Sequence, residues 1–341
     1  MTVGGTVGWQ GGRAPAFWRG RQVLVTGGCG FIGSHLVEAL LTAGAEVRAL
    51  GRYNSRSDRG FLAAVEHPAL EVHLGDVADP WLVRGLARGV DTIFHLAALI
   101  GIPYSYAAPS QYIETNVKGT LAVLEAARHE GVRRVVHTST SETYGSAQYV
   151  PIDERHPLVG QSPYSATKIA ADKLAESYHL SFGLPVTILR PFNTFGPRQS
   201  LRAVIPTLMV QALYGEEIAV GSLEPVRDMN YVLDTVAGFL GLGAAEGVEG
   251  AVYNVGSGVG HSVGEILELV QKVAGTARPV RQAEERVRPA ASEVERLVCD
   301  FSKAAAAFGY APAFGLEEGL RAVRDHLLAH PPAADPGRYR V

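Results

Sequence analysis

Cysteine is scarce in this chain: 341 residues hold two, Cys29 and Cys299, far apart and in no metal-ligand spacing. That excludes a disulfide-stapled scaffold, predicts no metal centre, and fits a reducing cytoplasm. Long apolar runs are missing as well. None approaches the roughly 18 residues a membrane helix needs, so no membrane partner is expected. Residues 1–20 are rich in glycine, carry Trp9 and Trp18, and lack the apolar core of a signal peptide. They read as a flexible extension. A basic excess is also absent. The 31 Lys and Arg against 34 Asp and Glu give a net charge of −3, which argues against a nucleic-acid binder. Neither an internal repeat nor a Gly/Ser-rich linker interrupts the chain, so any lobes are packed rather than tethered.

What is present is an alternation. The segment at 22–26, QVLVT, is a continuous β-branched and aliphatic run. Similar short runs follow at 46–50, 70–74, 92–96, 134–139 and 186–190. Helical spacing fills most of the gaps, notably at 32–43, 110–129 and 164–182. Strands without polar alternation are buried on both faces, which predicts a parallel sheet. The fold class is therefore α/β, a Rossmann-type doubly wound sheet over 21–192. Beyond residue 192 the rhythm loosens. Helices are predicted at 204–214, 233–242 and 263–274, with strands at 218–220 and 251–255. Residues 193–330 read as a smaller α/β lobe for the substrate, and 331–341 as a fraying tail.

Thr26-Gly27-Gly28-Cys29-Gly30-Phe31-Ile32-Gly33 lies directly after the first strand and opens a helix. Glycine permits a tight turn and close approach of a pyrophosphate. The helix N-terminus, at Phe31 and Ile32, then supplies free N–H groups. In this strand–turn–helix context the pattern points to a dinucleotide cofactor. An acidic residue at the end of the second strand would bind the 2′-hydroxyl of NAD. Gly51 stands there instead and Arg52 follows. An arginine can pair with the 2′-phosphate of NADP or simply face solvent. NAD or NADP is therefore expected, with the Gly51–Arg52 pair leaning to NADP. Asp76, followed by Val77 after the third strand, is placed to meet the adenine edge.

Tyr164-Ser165-Ala166-Thr167-Lys168 is a Y-x-x-x-K motif. Four apart on a helix, the two side chains share a face. An ammonium beside a phenol favours the phenolate, which a tyrosine needs if it is to act as a base. The fifth strand runs into Thr140, Ser141 and Glu142, which add hydroxyls and a carboxylate.

TGGCGFIGSHL, the run His95-Leu96-Ala97-Ala98, STSETYG at 139–145, YSATK at 164–168 and Arg190-Pro191-Phe192-Asn193 together resemble the extended short-chain dehydrogenase/reductases. More narrowly, the chain is similar to the nucleotide-sugar epimerase/dehydratase branch. The resemblance extends into the second lobe through Arg227-Asp228-x-x-Tyr231, Asn254-Val255-Gly256 and Arg288-Pro289. It implies that Gly27, Gly30 and Gly33 cradle the pyrophosphate and that Leu96, Ala97 and Ala98 border the dinucleotide. Tyr164 is the implied base, and Lys168 the group that holds the nicotinamide ribose and tunes Tyr164. Thr140 is implied to bind the sugar O4. Asn193, Arg227 and Arg288 are implied to grip a nucleotide-diphosphate sugar, arginine suiting phosphate through its rigid fork of donors. A homodimer built from the helices at 110–129 and 164–182 is also implied.

Members of that branch begin alike: the O4 proton goes to the tyrosine, the C4 hydride to the cofactor, and a 4-ketose forms. In a 4,6-dehydratase a base then removes the C5 proton, water leaves C6, and hydride returns there. Glu142 stands where the dehydratases carry that base. The Thr-Ser-Glu triplet resembles GDP-mannose 4,6-dehydratases, and UDP-glucuronate decarboxylases share it. Those decarboxylases typically lack an acid after the Arg227 equivalent, whereas Asp228 follows here, which leans to dehydratase. A 4-epimerase or decarboxylase is the alternative. A non-catalytic dinucleotide-binding protein ranks lower, because such proteins commonly lose the tyrosine or lysine that this chain keeps.

Overall fold

The computed structural model describes residues 15–283, 286 and 294–332. In chain order the first strands are β1 (Gln22–Thr26), β2 (Glu46–Arg52), β3 (Leu70–Gly75), β4 (Thr92–His95), β5 (Arg134–Thr138), β6 (Val186–Pro191) and β7 (Asn193–Phe195). Then come β8 (Ile218–Val220), β9 (Val226–Tyr231), β10 (Val252–Val255), β11 (Gly260–Ser262), β12 (Val280–Gln282) and β13 (Arg296–Leu297). The helices begin with α1 (Phe31–Thr42), α2 (Pro80–Ala87), α3 (Ile102–Ala107), α4 (Pro109–Tyr112), α5 (Gly119–Glu130) and α6 (Pro163–Phe182). They continue with α7 (Val204–Tyr214), α8 (Val232–Ala244), α9 (Val263–Ala274), α10 (Ser302–Phe308) and α11 (Leu316–Ala329).

Seven strands form one all-parallel sheet in the order β10-β6-β5-β4-β1-β2-β3. The continuous apolar run of β1 explains why. Val23 and Val25 pack with Leu36 and Leu40 of α1 and Phe239 of α8. Leu24 faces the other way, into a core with Val123 and Leu124 of α5 and Ala175 of α6. Both faces are covered, as an all-parallel sheet requires. The order reverses between β1 and β4, and ligands of such sheets sit at that crevice, outside the strand C-termini. Another core joins β7, β8 and β9 with α7, α9 and α11, and β11 and β13 flank β9 in its sheet.

α6 carries the Y-x-x-x-K motif, and its ends are strongly written. Ser162 and Ser165 form a reciprocal capping box, Pro163 opens the first turn, and Gly183 closes the helix at φ 64°.

Three expectations change. The stretch before residue 21 is not loose throughout: Pro15–Phe17 forms a short 3-10 helix and Trp18 is fully buried against Phe94. An indole that size gains more from the sheet's α8 face than from water. Residues 1–14 and 333–341 lie outside the described residues. The strand expected in the second lobe, β10, instead extends the large sheet beside β6, and α8 covers that sheet with α1. The chain thus crosses back after residue 192. Finally, the helix expected at 110–129 runs unbroken from 109 to 130 but is not a regular α-helix throughout. Between α4 and α5 the backbone widens into a π-helix, Ile113–Lys118, and it carries Asn116 inward.

Candidate active site

The loop after β1 turns on Gly27, at φ 72°. A Cβ there would stand 2.9 Å from the Ala97 backbone nitrogen, and one at Gly33 would stand 2.2 Å from the Gly27 oxygen. No side chain fits either place. The N-cap of α1 is Gly30, with no side-chain acceptor for the first N–H groups. Phe31 and Ile32 therefore offer their N–H groups to an anion at a helix N-terminus. This cradle fits a dinucleotide pyrophosphate. Leu96, Ala97 and Ala98 follow β4 on the opposite lip, half-buried, and Ala97 N donates to Thr26 Oγ1 at 3.2 Å.

Behind the cradle a polar chain is fully satisfied. Thr26 Oγ1 lies 2.8 Å from His95 Nδ1, and His95 Nε2 lies 3.0 Å from Thr120 Oγ1. Thr120 itself donates to the Asn116 carbonyl at 2.6 Å, so it accepts from His95, which is neutral with its proton on Nε2. Asn116 exchanges two hydrogen bonds with Leu99 and donates to Thr167 Oγ1 at 3.1 Å. The π-helix turn thus ties the loop after β4 to α6.

At the far end of β2, Gly51 is buried and Arg52 is exposed. A Cβ on residue 51 would meet Cys29 Sγ at 2.5 Å, so an acidic residue cannot stand at 51 beside Cys29. Arg52 ends β2 and Arg56 and Arg59 lie in the loop that follows; all three are exposed, and among the described residues none is paired with a carboxylate. Arg59 lies near enough to Cys29 for its charge to be felt there. Asp76 is exposed and its Oδ1 accepts from Ala78 N at 2.9 Å, while Val77 is buried against Gly119.

Tyr164 and Lys168 stand on the buried face of α6. Burial pushes the Tyr164 phenol above its ordinary value, the Thr140 hydroxyl draws it down, and the Glu142 charge pushes it up. Glu142 is thus close to the phenol. Thr140 caps the turn Ser141–Tyr144, accepting from Glu142 N at 3.2 Å, which fixes the backbone that carries Glu142. Ser141 is buried within that turn. The Lys168 ammonium donates to the Thr138 carbonyl at 2.5 Å. Burial lowers Lys168 to about 8, opposed by the charge of Asp172.

In the second lobe, the buried Asn193 amide nitrogen has no acceptor among the described residues, a donor suited to a substrate oxygen. Arg227 is buried on β9 beside His261. Asp228 proves architectural: its carboxylate accepts from Ser257 N and Oγ, Gly258 N and Cys299 N, fixing the loop next to β9. Arg288 lies outside the described residues. Sequence reading missed Tyr112, which is fully buried edge-on to Tyr164 at 6.2 Å, and Arg202, whose charge reaches Tyr112. No local motif marks either residue.

A family profile described as GDP-mannose 4,6 dehydratase matches residues 24–323. The low-salt glycan biosynthesis protein Agl12 of Haloferax volcanii is 37% identical over 90% of this chain and 98% of its own. The UDP-glucuronic acid decarboxylase 1 of Xenopus tropicalis is 32% identical over 88% of this chain and 70% of its own. Among solved structures, the dTDP-glucose 4,6-dehydratase DesIV of Streptomyces venezuelae, with NAD bound, superposes with a TM-score of 0.84. It is 33% identical, over 91% of this chain and 97% of that one.

Proposed function

The chain belongs to the GDP-mannose 4,6 dehydratase family of NAD-dependent nucleotide-sugar enzymes, and from that premise we propose that it is a nucleotide-diphosphate-sugar 4,6-dehydratase. One observation carries the reading: Thr140 accepts from the Glu142 backbone N–H at the start of its turn, and the Glu142 charge reaches the Tyr164 phenol. A base for O4 and a base for C5 then stand together.

A bound nicotinamide dinucleotide would supply the reversible hydride-accepting chemistry that such a reaction needs. Gly27, Gly30, Gly33 and the N–H groups of Phe31 and Ile32 would hold its pyrophosphate. Tyr164 takes the O4 proton while Thr140 orients the same oxygen. The 4-keto group acidifies C5, so one carboxylate suffices to remove its proton. Asn193 and Arg227, with Arg288, serve the substrate's nucleoside diphosphate. The unpaired Arg52, with Arg59 near Cys29, favours NADP over NAD. The working unit is a cytoplasmic homodimer joined through α5 and α6.

Glu142→Gln tests the assignment. The variant keeps Tyr164 and Lys168, so reduced nicotinamide is expected to accumulate on addition of substrate. Water loss and exchange of the C5 hydrogen with deuterated solvent are expected to slow together, by about 10²–10⁴-fold. Product formation and C5 exchange at the wild-type rate would make Glu142 a bystander.

A further inference from the structure

We infer that Asp172 is a positioning residue of this site, whose carboxylate fixes the strand end that receives Lys168 and supplies the countercharge that keeps Lys168 protonated. The inference rests on the reading of Tyr164 and Lys168 as base and partner.

Tyr164, Lys168 and Asp172 follow one another at intervals of four, so they line one face of α6, and all three are buried. The end of β5 is stitched to that face twice. Lys168 donates to Thr138 O, and Ser139, the next residue, donates through Oγ to Asp172 Oδ2 at 2.7 Å. Arg190 of β6 closes the unit, reaching the same oxygen at 2.8 Å through one terminal nitrogen and 3.3 Å through Nε. Its other terminal nitrogen donates to the Tyr144 hydroxyl at 3.1 Å, which donates in turn to Asn254 at 2.7 Å. Breaking the link at Asp172 would therefore free the segment that carries Thr140 and Glu142.

The charges are equally constrained. Around Asp172 stand Lys168 on its own helix, Arg190 on β6 and His137 on β5, whose Nε2 is 3.3 Å from Asp172 Oδ1. His95 of β4 stacks on His137 at 5.5 Å, and burial holds both rings neutral. Glu142 and Tyr112 face the Tyr164 end. Asp172 is thus the anion shared by two buried cations. Burial pushes its carboxyl up, but the close approach of the His137 ring and the charges of Arg190 and Lys168 outweigh that and hold it well below the carboxylate range. If that charge is lost, arginine cannot give up its proton, so the lysine does.

The test is a pH titration of the full chain labelled with ¹³C at lysine Cε. The sequence has only five lysines: Lys118, Lys168, Lys173, Lys272 and Lys303. Lys168 alone is buried, and its signal is identified by its loss in Lys168→Met. In the wild type it is expected to titrate at about 8. Asp172→Asn should lower that midpoint by about 1–3 pH units, the range an adjacent opposite charge commands. Arg190→Gln should raise it, because the full Asp172 charge then falls to Lys168. Ser139→Ala should leave the midpoint in place while slowing turnover, since it cuts only the mechanical link. Opposite shifts from two neighbours on different elements cannot come from loosened packing. If Asp172→Asn does not fold, Arg190→Gln still decides. An unmoved midpoint in the folded variants overturns the inference. Full turnover in Lys168→Met would instead overturn the assignment of the base pair, whatever Asp172 does to the titration.

Discussion

Gly51 decides by what it lacks how the cofactor's adenosine end is held. With no side chain at 51 and Cys29 Sγ in the space a Cβ would take, no carboxylate can stand there to bind a ribose 2′-hydroxyl or repel a 2′-phosphate. Arg52 next to it is exposed and its side chain has no partner among the described residues, so it is free to meet a phosphate. A charge-assisted hydrogen bond of this kind contributes about 1.5–3 kcal/mol. Arg52→Ser is therefore expected to weaken NADP binding by about 10- to 100-fold and NAD binding little, as measured by calorimetry on the apo protein. Equal loss for both dinucleotides would return Arg52 to the solvent. Gly51→Asp alone should bind neither cofactor well, because the new carboxylate collides with Cys29. Paired with Cys29→Gly, it should favour NAD.

At the scale of elements, α6 has two distinct faces. The inner face of α6 holds Tyr164, Lys168 and Asp172; the outer one exposes Ala166, Ala170 and Leu180. The neighbouring helical stretch exposes Ile113 and Leu121 eight residues apart, two turns along one stripe. Small and aliphatic residues at helical spacing pair well across a two-fold axis. Light scattering at micromolar concentration is expected to give the mass of two chains, and Leu121→Glu with Ala170→Glu the mass of one. A single-chain mass for the wild type would refute the arrangement. How much of these elements was legible depended on distance along the chain. The glycine turn and the Y-x-x-x-K helix are local patterns, and strand–helix alternation is periodic, so sequence alone placed them. Asp172 and Arg190 are 18 residues apart and meet only because β6 returns beside β5. The π-helix at Asn116 leaves no mark in the apolar spacing, since it shifts one turn by a single residue. Trp18 was misjudged for a similar reason: its glycine-rich flank spoke of a loose segment, while its partner Phe94 lies on β4.

Across the whole molecule, the same burial that shapes the site makes stability depend on pH. His35 is lowered to about 4 by burial and then by the Arg198 charge, and burial likewise lowers His95 and His137. Each folded-state value lies below the unfolded value near 6.5, so the contribution is complete above that pH and is lost as pH falls. Asp234, raised to about 6 by burial, pulls the other way only below its own value. Between about pH 7.5 and pH 6 the three histidines together should cost about 2 kcal/mol, lowering the thermal midpoint by a few degrees. A flat profile there would mean that these rings protonate within the fold. Incubation of the purified protein with GDP-, UDP-, dTDP- and CDP-sugars, read by mass spectrometry, should yield one substrate that loses the mass of one water. Loss of carbon dioxide, or an unchanged mass with altered sugar couplings, would contradict the dehydratase reading and make the protein a decarboxylase or an epimerase.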